Sequence, residues 1–210
     1  SMIWEIEIEQ IAFENGNFSS KADSELSINI RDLAKKLDGT GGAVSAVGSV
    51  DLDSSTHGFG THIVDLEIDP ETGKTDIIKY TAAQDVGRAI HPSYVEGQIQ
   101  GGAAQGIGWA LNEEYFIDEK GKMLNSSYLD YRMPTALDLP MIDTILVENE
   151  NPEQPFGVRG VGEVPICPPL GAISNAIKDA LGIRLNDLPM KPSVIPVSYT
   201  HLTLPTKSSG

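Results

Sequence analysis

Residues 84–111 carry the sequence QDVGRAIHPSYVEGQIQGGAAQGIGWAL, and this stretch decides the fold. Its first residues end an apolar strand pattern and enter a turn. Pro92 suits the first turn of a helix, because the N–H that proline lacks is not needed there. Apolar side chains then recur at a roughly helical period, at Ile99, Ala103, Ala110 and Leu111. The stretch therefore predicts a strand, a turn and a helix in direct succession.

The predicted helix is unusually rich in glycine. Five glycines lie within it, at Gly97, Gly101, Gly102, Gly106 and Gly108. An interior glycine costs a helix about 1 kcal/mol relative to alanine, so the five need a compensating reason, usually close approach to a ligand or to another helix. Three glutamines in the same segment offer paired donors and acceptors: Gln98, Gln100 and Gln105. A ligand site and tight helix packing both stay open on spacing alone.

A second glycine-rich segment, residues 157–163, has the sequence GVRGVGE and ends in a single carboxylate, Glu163. The prolines Pro165, Pro168 and Pro169 follow it. Glycines allow a backbone to pass close to a bulky ligand. Apolar and proline-rich surroundings are expected to desolvate the carboxylate, which makes Glu163 a candidate general base. The alternative is a glycine turn with a solvated acid.

Together the two segments resemble the molybdenum-cofactor-binding subunit of the xanthine dehydrogenase and aldehyde oxidase family of molybdenum hydroxylases. The resemblance extends over short motifs in family order: His57-Gly58-Phe59-Gly60, Asp69-Pro70-Glu71-Thr72-Gly73, Asp85-Val86-Gly87-Arg88, Gly97-Gln98, Asp130-Tyr131-Arg132-Met133-Pro134-Thr135, Gly162-Glu163, Ala172-Ile173-Ser174-Asn175-Ala176-Ile177, Gly182-Ile183-Arg184 and Leu188-Pro189. It implies an α+β fold of mixed sheets and packed helices, the C-terminal part of a molybdopterin-binding domain. The upstream glycine-rich motifs of that family are missing, so the chain resembles a C-terminal fragment of the subunit.

The resemblance also implies roles for single residues. Glu163 looks like the family's catalytic glutamate, the general base in an oxidative hydroxylation of an aldehyde or N-heterocycle with oxygen from water. Gln105 matches the glutamine that hydrogen-bonds the pterin, and Gln98 falls in the associated Gly-Gln pair. Two glycines of the same helix are assigned to cofactor binding: Gly102 and Gly106. Arg159 stands where the family commonly has a basic residue, and it is expected to hold the loop or to meet anionic cofactor groups, with a surface ion pair as the alternative.

The implied enzyme is a molybdopterin-dependent oxidoreductase that uses the cytosine dinucleotide form of the cofactor. Iron–sulfur clusters and FAD are expected on partner subunits or domains, since the single cysteine, Cys167, supplies too few thiolates for a cluster. The missing N-terminal part of the molybdenum-binding subunit is the other expected partner, and the fragment alone is expected to be inactive. A second interpretation stays open: a non-catalytic binding or assembly module that keeps the fold, with Glu163 only anchoring a loop.

Composition narrows the possible partners. The chain has 210 residues, 40% of them hydrophobic, and a formal net charge of −15. This length suits one domain or two small α/β lobes. The charge argues against nucleic acid and anionic membranes as partners, because both would repel the chain. No apolar run approaches membrane-spanning length and no signal-peptide pattern opens the sequence, so a cytoplasmic protein with a small-molecule substrate is expected.

Periodicity predicts further elements. Residues 4–8 alternate apolar and acidic side chains, which predicts a strand, and Asn15-Gly16 predicts a hairpin turn. Residues 27–37 predict a helix. Strands are expected around 63–68, 77–80 and 142–147, with a hairpin at 116–124. An amphipathic helix over 172–181 follows two prolines and ends at Gly182, and its amino end is expected to face the cofactor region.

Two further patterns favour no site. Strand alternation explains His57, His62 and Asp65 better than metal binding does, and no protein ligand to a metal is expected. The glycines of the helix lack the third glycine that a dinucleotide-binding turn needs. Residues 1–196 are assigned to the molybdopterin-binding domain. Residues 197–210 match no expected continuation and are predicted to be a non-native or disordered tail.

Overall fold

The computed structural model describes residues 1–51 and 57–203, and the chain divides into two compact units, Ser1–Asp51 and Leu52–Gly210. Helices and strands occur in both units, which confirms the α+β class expected from the sequence. Every candidate residue of the site lies in the second unit.

The first unit is built around a small antiparallel sheet. Its strands are β1 (Ile11–Glu14), β2 (Asn17–Ser20) and β3 (Ser27–Asn29). Helix α1 (Ile30–Ala34) follows directly, and a 3-10 turn spans Leu37–Thr40. The β1–β2 hairpin turns at Asn15 and Gly16, whose φ angles are 51° and 79°, as the Asn-Gly pair predicted.

Two predictions for this unit are wrong. The strand expected at residues 4–8 does not form, because Glu5 has a φ of 55°, which breaks an extended chain, and a 3-10 turn occupies Ile8–Gln10. The helix expected over residues 27–37 is shorter, because Ser27–Asn29 pairs with β2. The Asn29 side chain then caps α1 by accepting from the Asp32 N–H at 2.9 Å. Pairing across the sheet overrides the helical periodicity here.

The second unit is a three-stranded sheet with helices packed on it. Its elements are β4 (Gly60–Ile68), β5 (Thr75–Asp85), α2 (Pro92–Leu111), β6 (Ile142–Val147), α3 (Pro168–Leu181) and α4 (Ile195–Thr203), with 3-10 turns at Pro155–Gly157 and Val164–Ile166. β4 and β5 are antiparallel, whereas β5 and β6 are parallel, so α2 lies in the crossover between them. The strands and helices predicted for this unit are confirmed, and the hairpin at 116–124 is reduced to one bridge, Ile117 with Met123.

The core of this unit lies between the sheet and the helices. Its fully buried side chains come from the sheet and from both long helices: Tyr80, Ala82, Ile99, Ala103, Ile107, Ile173 and Ile177. Helix α3 packs on β4 and α2, and α2 also packs on β6. Gly182 ends α3 with a φ of 73°, as the sequence predicted. This packing brings the turn after β5 and the loop before α3 together at one end of the sheet.

The predicted tail falls partly outside the described residues. Helix α4 continues to Thr203, and its first residue, Ile195, is fully buried in the core. Residues 204–210 lie outside the described residues, as do the side chains of Tyr199 and of residues 201–203. The boundary at residue 196 therefore stays a prediction.

Candidate functional site

Helix α2 presents two different faces. Ile99, Ala103 and Ile107 are fully buried and join the core. Gln98 and Gln105 are exposed. These two glutamines are seven residues apart, or two helical turns, so they project from one side of α2 about 10 Å apart along its axis. Neither side chain is used by the core, and both amide groups are free to meet a ligand from solvent.

Gly102 and Gly106 lie on a third side of α2, against the loop that carries Glu163. A Cβ atom at Gly102 would come within 3.0 Å of the Pro165 Cβ. A Cβ at Gly106 would overlap the Ile166 carbonyl and approach the Pro169 ring at 2.7 Å. Protein atoms therefore fill the space beside these two glycines, and their assignment to cofactor binding stays a prediction. Their missing side chains let the 3-10 turn Val164–Ile166 sit directly on α2.

The same loop is held at its other end by the turn that follows β5. Gly87 and Val158 form an isolated antiparallel bridge. The Arg88 N–H donates to the Gly157 carbonyl at 2.9 Å, and the Arg159 N–H donates to the Val86 carbonyl at 3.1 Å. Gly87 has a φ of 62°, and a Cβ there would overlap the Gly157 carbonyl, so only glycine fits. Backbone pairing thus joins two segments about 70 residues apart in the sequence.

A buried ion pair reinforces this junction. The Arg159 Nε lies 3.0 Å from the Asp85 Oδ2, and the two side chains are 10% and 0% exposed. The Asp85 Oδ1 accepts from the Gly87 N–H at 3.1 Å. The Arg159 Nη1 also donates to the His57 carbonyl at 3.4 Å. The contact differs from the surface ion pair offered as an alternative, because only 10% of the Arg159 side chain is exposed and its partner Asp85 is fully buried. A role in holding the loop stays a prediction.

Glu163 lies between these two anchors, immediately before the 3-10 turn. Its carbonyl accepts from the Ile166 N–H at 3.1 Å, and its carboxylate does not cap that turn. The side chain is exposed, so the expected desolvation does not come from the residues that the structure describes. A Cβ on the preceding Gly162 would lie 3.7 Å from the Gln98 Oε1, which places the Glu163 loop beside the exposed face of α2.

The residues on this face suit a pterin-type cofactor. Among residues 1–51 and 57–203, no atom outside the helix backbone lies within 4 Å of a Cβ built at Gly97 or Gly101, so these residues leave room for a ligand beside the helix backbone. The carboxamides of Gln98 and Gln105 provide both donors and acceptors, which matches the mixed hydrogen-bonding edge of a pterin. The structure thus brings Glu163, Gln98 and Gln105 to one open side of the second unit, while Arg159, Gly102 and Gly106 lie behind it as support.

Sequence reasoning missed two supporting side chains. Asp85 stands out in the sequence only as part of a motif, although it is fully buried and pairs with Arg159. An acid at the end of an apolar strand pattern is a signal that could have identified it. Gln100 belongs by sequence with the ligand glutamines, but its Nε2 donates to the Ile142 carbonyl at 3.1 Å and so ties α2 to β6.

The histidines support no metal site. Within residues 1–51 and 57–203, no group of three or more His, Cys, Asp or Glu side chains is placed to hold a metal ion. His62 is on the core face of β4, where its Nδ1 is 2.9 Å from the Tyr80 hydroxyl. Burial lowers the pKa of His62 to about 4 and raises the pKa of Tyr80.

A helix that crosses a bilayer must be both long and apolar. Within residues 1–51 and 57–203, no helix has both the length and the apolar character needed to cross one.

Comparison with known proteins places this geometry in a family. The sequence family described as molybdopterin cofactor-binding domain matches residues 1–140, which include both exposed glutamines. The xanthine dehydrogenase molybdenum-binding subunit of Escherichia coli O157:H7 is 41% identical over 153 residues, covering 72% of this chain and 20% of that protein. The carbon monoxide dehydrogenase large chain of Afipia carboxidovorans is 34% identical over 137 residues, covering 65% of this chain and 17% of that protein.

Solved structures extend the similarity beyond residue 140. Quinoline 2-oxidoreductase from Pseudomonas putida 86 superposes with a TM-score of 0.74 and 29% sequence identity, and the match covers 94% of this chain and 27% of that chain. The likeness therefore includes the second glycine-rich loop as well as α2. The chain spans about a fifth of the length of the curated relatives, at 20% and 17% of the two proteins above.

Proposed function

The chain belongs to the molybdopterin cofactor-binding domain family, and we propose that it supplies one side of the cofactor site and the general base of a molybdenum hydroxylase. The observation that supports this proposal is the position of Gly162 beside Gln98, since it puts the loop that carries Glu163 next to the exposed amide face of α2. The substrate is an aldehyde or an N-heterocycle. Oxygen from water is inserted, and the substrate carbon is oxidised by two electrons.

Each residue of the site has one task in this mechanism. Gln98 and Gln105 would hold the pterin through hydrogen bonds from their exposed amide groups. Glu163 takes a proton from the water-derived oxygen as that oxygen attacks the electron-poor carbon, and so makes it a better nucleophile. The molybdenum cofactor, when bound, supplies the redox chemistry that removes the two electrons. The chain itself contributes binding, orientation and one base.

The rest of the proposed enzyme lies outside this chain. The relatives are named as a molybdenum-binding subunit and as a large chain, which supports a complex of several parts. We propose that the missing N-terminal part of the molybdenum-binding subunit completes the cofactor site, and that iron–sulfur and FAD domains or subunits carry the electrons away. The cytosine dinucleotide form of the cofactor, a cytoplasmic location and inactivity of the isolated fragment complete the proposal.

The proposal is tested by the Glu163→Gln variant of the complete enzyme. The substitution keeps the size of the side chain but removes its basicity. Turnover should fall by roughly 10²–10⁴-fold, the range in which a general base contributes, while molybdenum content stays near the wild-type level. Steady-state kinetics and elemental analysis of the same preparation measure the two quantities.

Glu153→Gln is the matched control, since Glu153 is an exposed acid in the segment that leads to the same loop. Its turnover should match the wild type. Near-normal turnover in Glu163→Gln would remove the base assignment, and a binding or assembly role would then be the better description of the chain.

A further inference from the structure

The loop that carries Glu163 is held at two fixed points, with two glycines between them. One is the junction at Val158 and Arg159, and the other is the contact of Pro165 and Ile166 with α2. Between them, Gly160 and Gly162 permit many backbone conformations. The carboxylate of Glu163 does not cap the following turn. Its direction therefore depends on how precisely the two fixed points are held.

The contact with α2 is made by packing, whereas the junction contains a charge pair. Asp85 is 0% exposed and Arg159 is 10% exposed, with 3.0 Å between the Oδ2 and Nε atoms. Ions this far from water are maintained only with a well-placed partner, and removing one partner leaves the other charge uncompensated. Arg159 also reaches the His57 carbonyl, and Asp85 also accepts from the Gly87 N–H, so the pair joins three chain segments.

We propose that Asp85 and Arg159 are positioning residues, which set the direction of Glu163 through the 157–163 loop without touching substrate or cofactor. The inference rests on the proposed function, because it assumes that Glu163 is the base. The two backbone hydrogen bonds of the junction hold the loop at Gly157 and Arg159. Without the ion pair, the loop could still shift at Arg159. The ion pair removes that freedom, and it does so at a point only four residues before the base.

The first experiment replaces Arg159 by glutamine in the complete enzyme. Displacing a catalytic group by about 1 Å costs on the order of 10²-fold in rate, so kcat should fall by roughly 10–100-fold. KM and molybdenum content should stay within about 2-fold of wild type if Arg159 acts only through the loop, since its side chain contacts Asp85 and the His57 carbonyl. Arg159→Lys keeps the charge and should recover most of the loss. If the glutamine variant folds poorly, Asp85→Asn tests the same ion pair from its other side and should show the same fall in kcat.

A second readout does not depend on activity. Amide hydrogen exchange at the Arg88 N–H and at the N–H of residue 159, which donate across the junction, should be faster in Arg159→Gln than in wild type, whereas exchange in the buried part of α2 should be unchanged. The same effect is expected in Asp85→Asn, which keeps the acceptor for the Gly87 N–H but loses the charge. If Arg159 only stabilised the fold, exchange would instead rise throughout the second unit.

The matched control is an exposed ion pair of the same sheet. Lys79 and Asp143 are 3.9 Å apart, with side chains 60% and 58% exposed. Exposed pairs contribute little, so Lys79→Gln should leave kcat and exchange unchanged.

The double variant Glu163→Gln/Arg159→Gln separates this inference from the proposed function. If Arg159 acts through Glu163, the double variant should be no slower than Glu163→Gln alone. Wild-type kcat in both Arg159 variants, alongside an inactive Glu163→Gln, overturns the positioning pair and leaves the base intact. Full activity of Glu163→Gln overturns the proposed function instead, whatever Arg159 does.

Discussion

Two sides of α2 carry glycines, but one side is covered by protein and the other is exposed to solvent. Gly102 and Gly106 are covered by Pro165, Ile166 and Pro169, so the missing side chains are filled by protein. Gly101, one position before Gly102, faces open space, as Gln105 does. The five helix glycines therefore do not have one explanation. Packing requires some of them, whereas others leave the helix backbone open to a ligand.

The largest effect on stability is expected from Gly106→Ala. Its Cβ would overlap the Ile166 carbonyl, and backbone cannot move aside as a flexible side chain can. Overpacking of this kind costs about 1–3 kcal/mol in the free energy of unfolding. Chemical denaturation of the purified protein measures it. An alanine variant as stable as wild type would show that the covered face is not tightly packed.

A smaller effect, dependent on pH, is expected from the core face of β4. Burial lowers the pKa of His62 to about 4, below the ordinary value of 6.5. Between these two values the unfolded chain binds a proton that the folded chain does not, so stability should fall as the pH drops from about 6.5 towards 4. Stability measured across this range should depend less on pH in His62→Gln than in wild type. An identical pH dependence in both proteins would mean that His62 is not the group responsible.

Gly101→Ala should act in the opposite direction to Gly106→Ala. In the part of the chain that the structure describes, nothing outside the helix backbone lies within 4 Å of its added Cβ. Only the helix propensity therefore changes, and alanine should stabilise the cofactor-free chain by about 0.5–1 kcal/mol. The same denaturation experiment provides the measurement. A loss of stability would show that this side of α2 is covered.

The smallest change in stability is expected for Gln105→Ala. An exposed side chain outside the core should change the free energy of unfolding by no more than about 0.5 kcal/mol. Molybdenum content of the complete enzyme should nevertheless decrease, because the proposed hydrogen bond to the pterin is lost. Gln100→Ala is the matched comparison. It removes the hydrogen bond to the Ile142 carbonyl and should lower stability, but it leaves the exposed face of α2 with Gln98 and Gln105 unchanged. Unchanged molybdenum content in Gln105→Ala would exclude the pterin contact.

Sequence patterns predicted the second unit better than the first. Helix α2 follows from Pro92 and its apolar period, and α3 follows from its apolar face and Gly182, because those signals are local. In the first unit, residues 27–29 carry a helical pattern but pair with β2. That choice depends on a partner strand, which a local period cannot report.

The candidate site shows the same division. Sequence motifs alone are enough to select Glu163, Gln98, Gln105 and Arg159. Motifs do not divide these residues into an exposed set and a buried supporting set, since burial depends on which segments meet. Asp85 becomes a partner of Arg159 only because the turn after β5 meets the loop before α3.

The sequence by itself determined the family, the α+β class and the residues with suitable chemistry, because motifs and periodicities are properties of consecutive positions. Only the tertiary structure decided that the Ile166 carbonyl packs against Gly106 and that Gly101 is exposed. It also decided that the Arg159 side chain, 10% exposed, pairs with the buried Asp85. Those outcomes come from contacts between segments distant in the chain. Close packing gives each such contact a specific neighbour, and no local pattern encodes it.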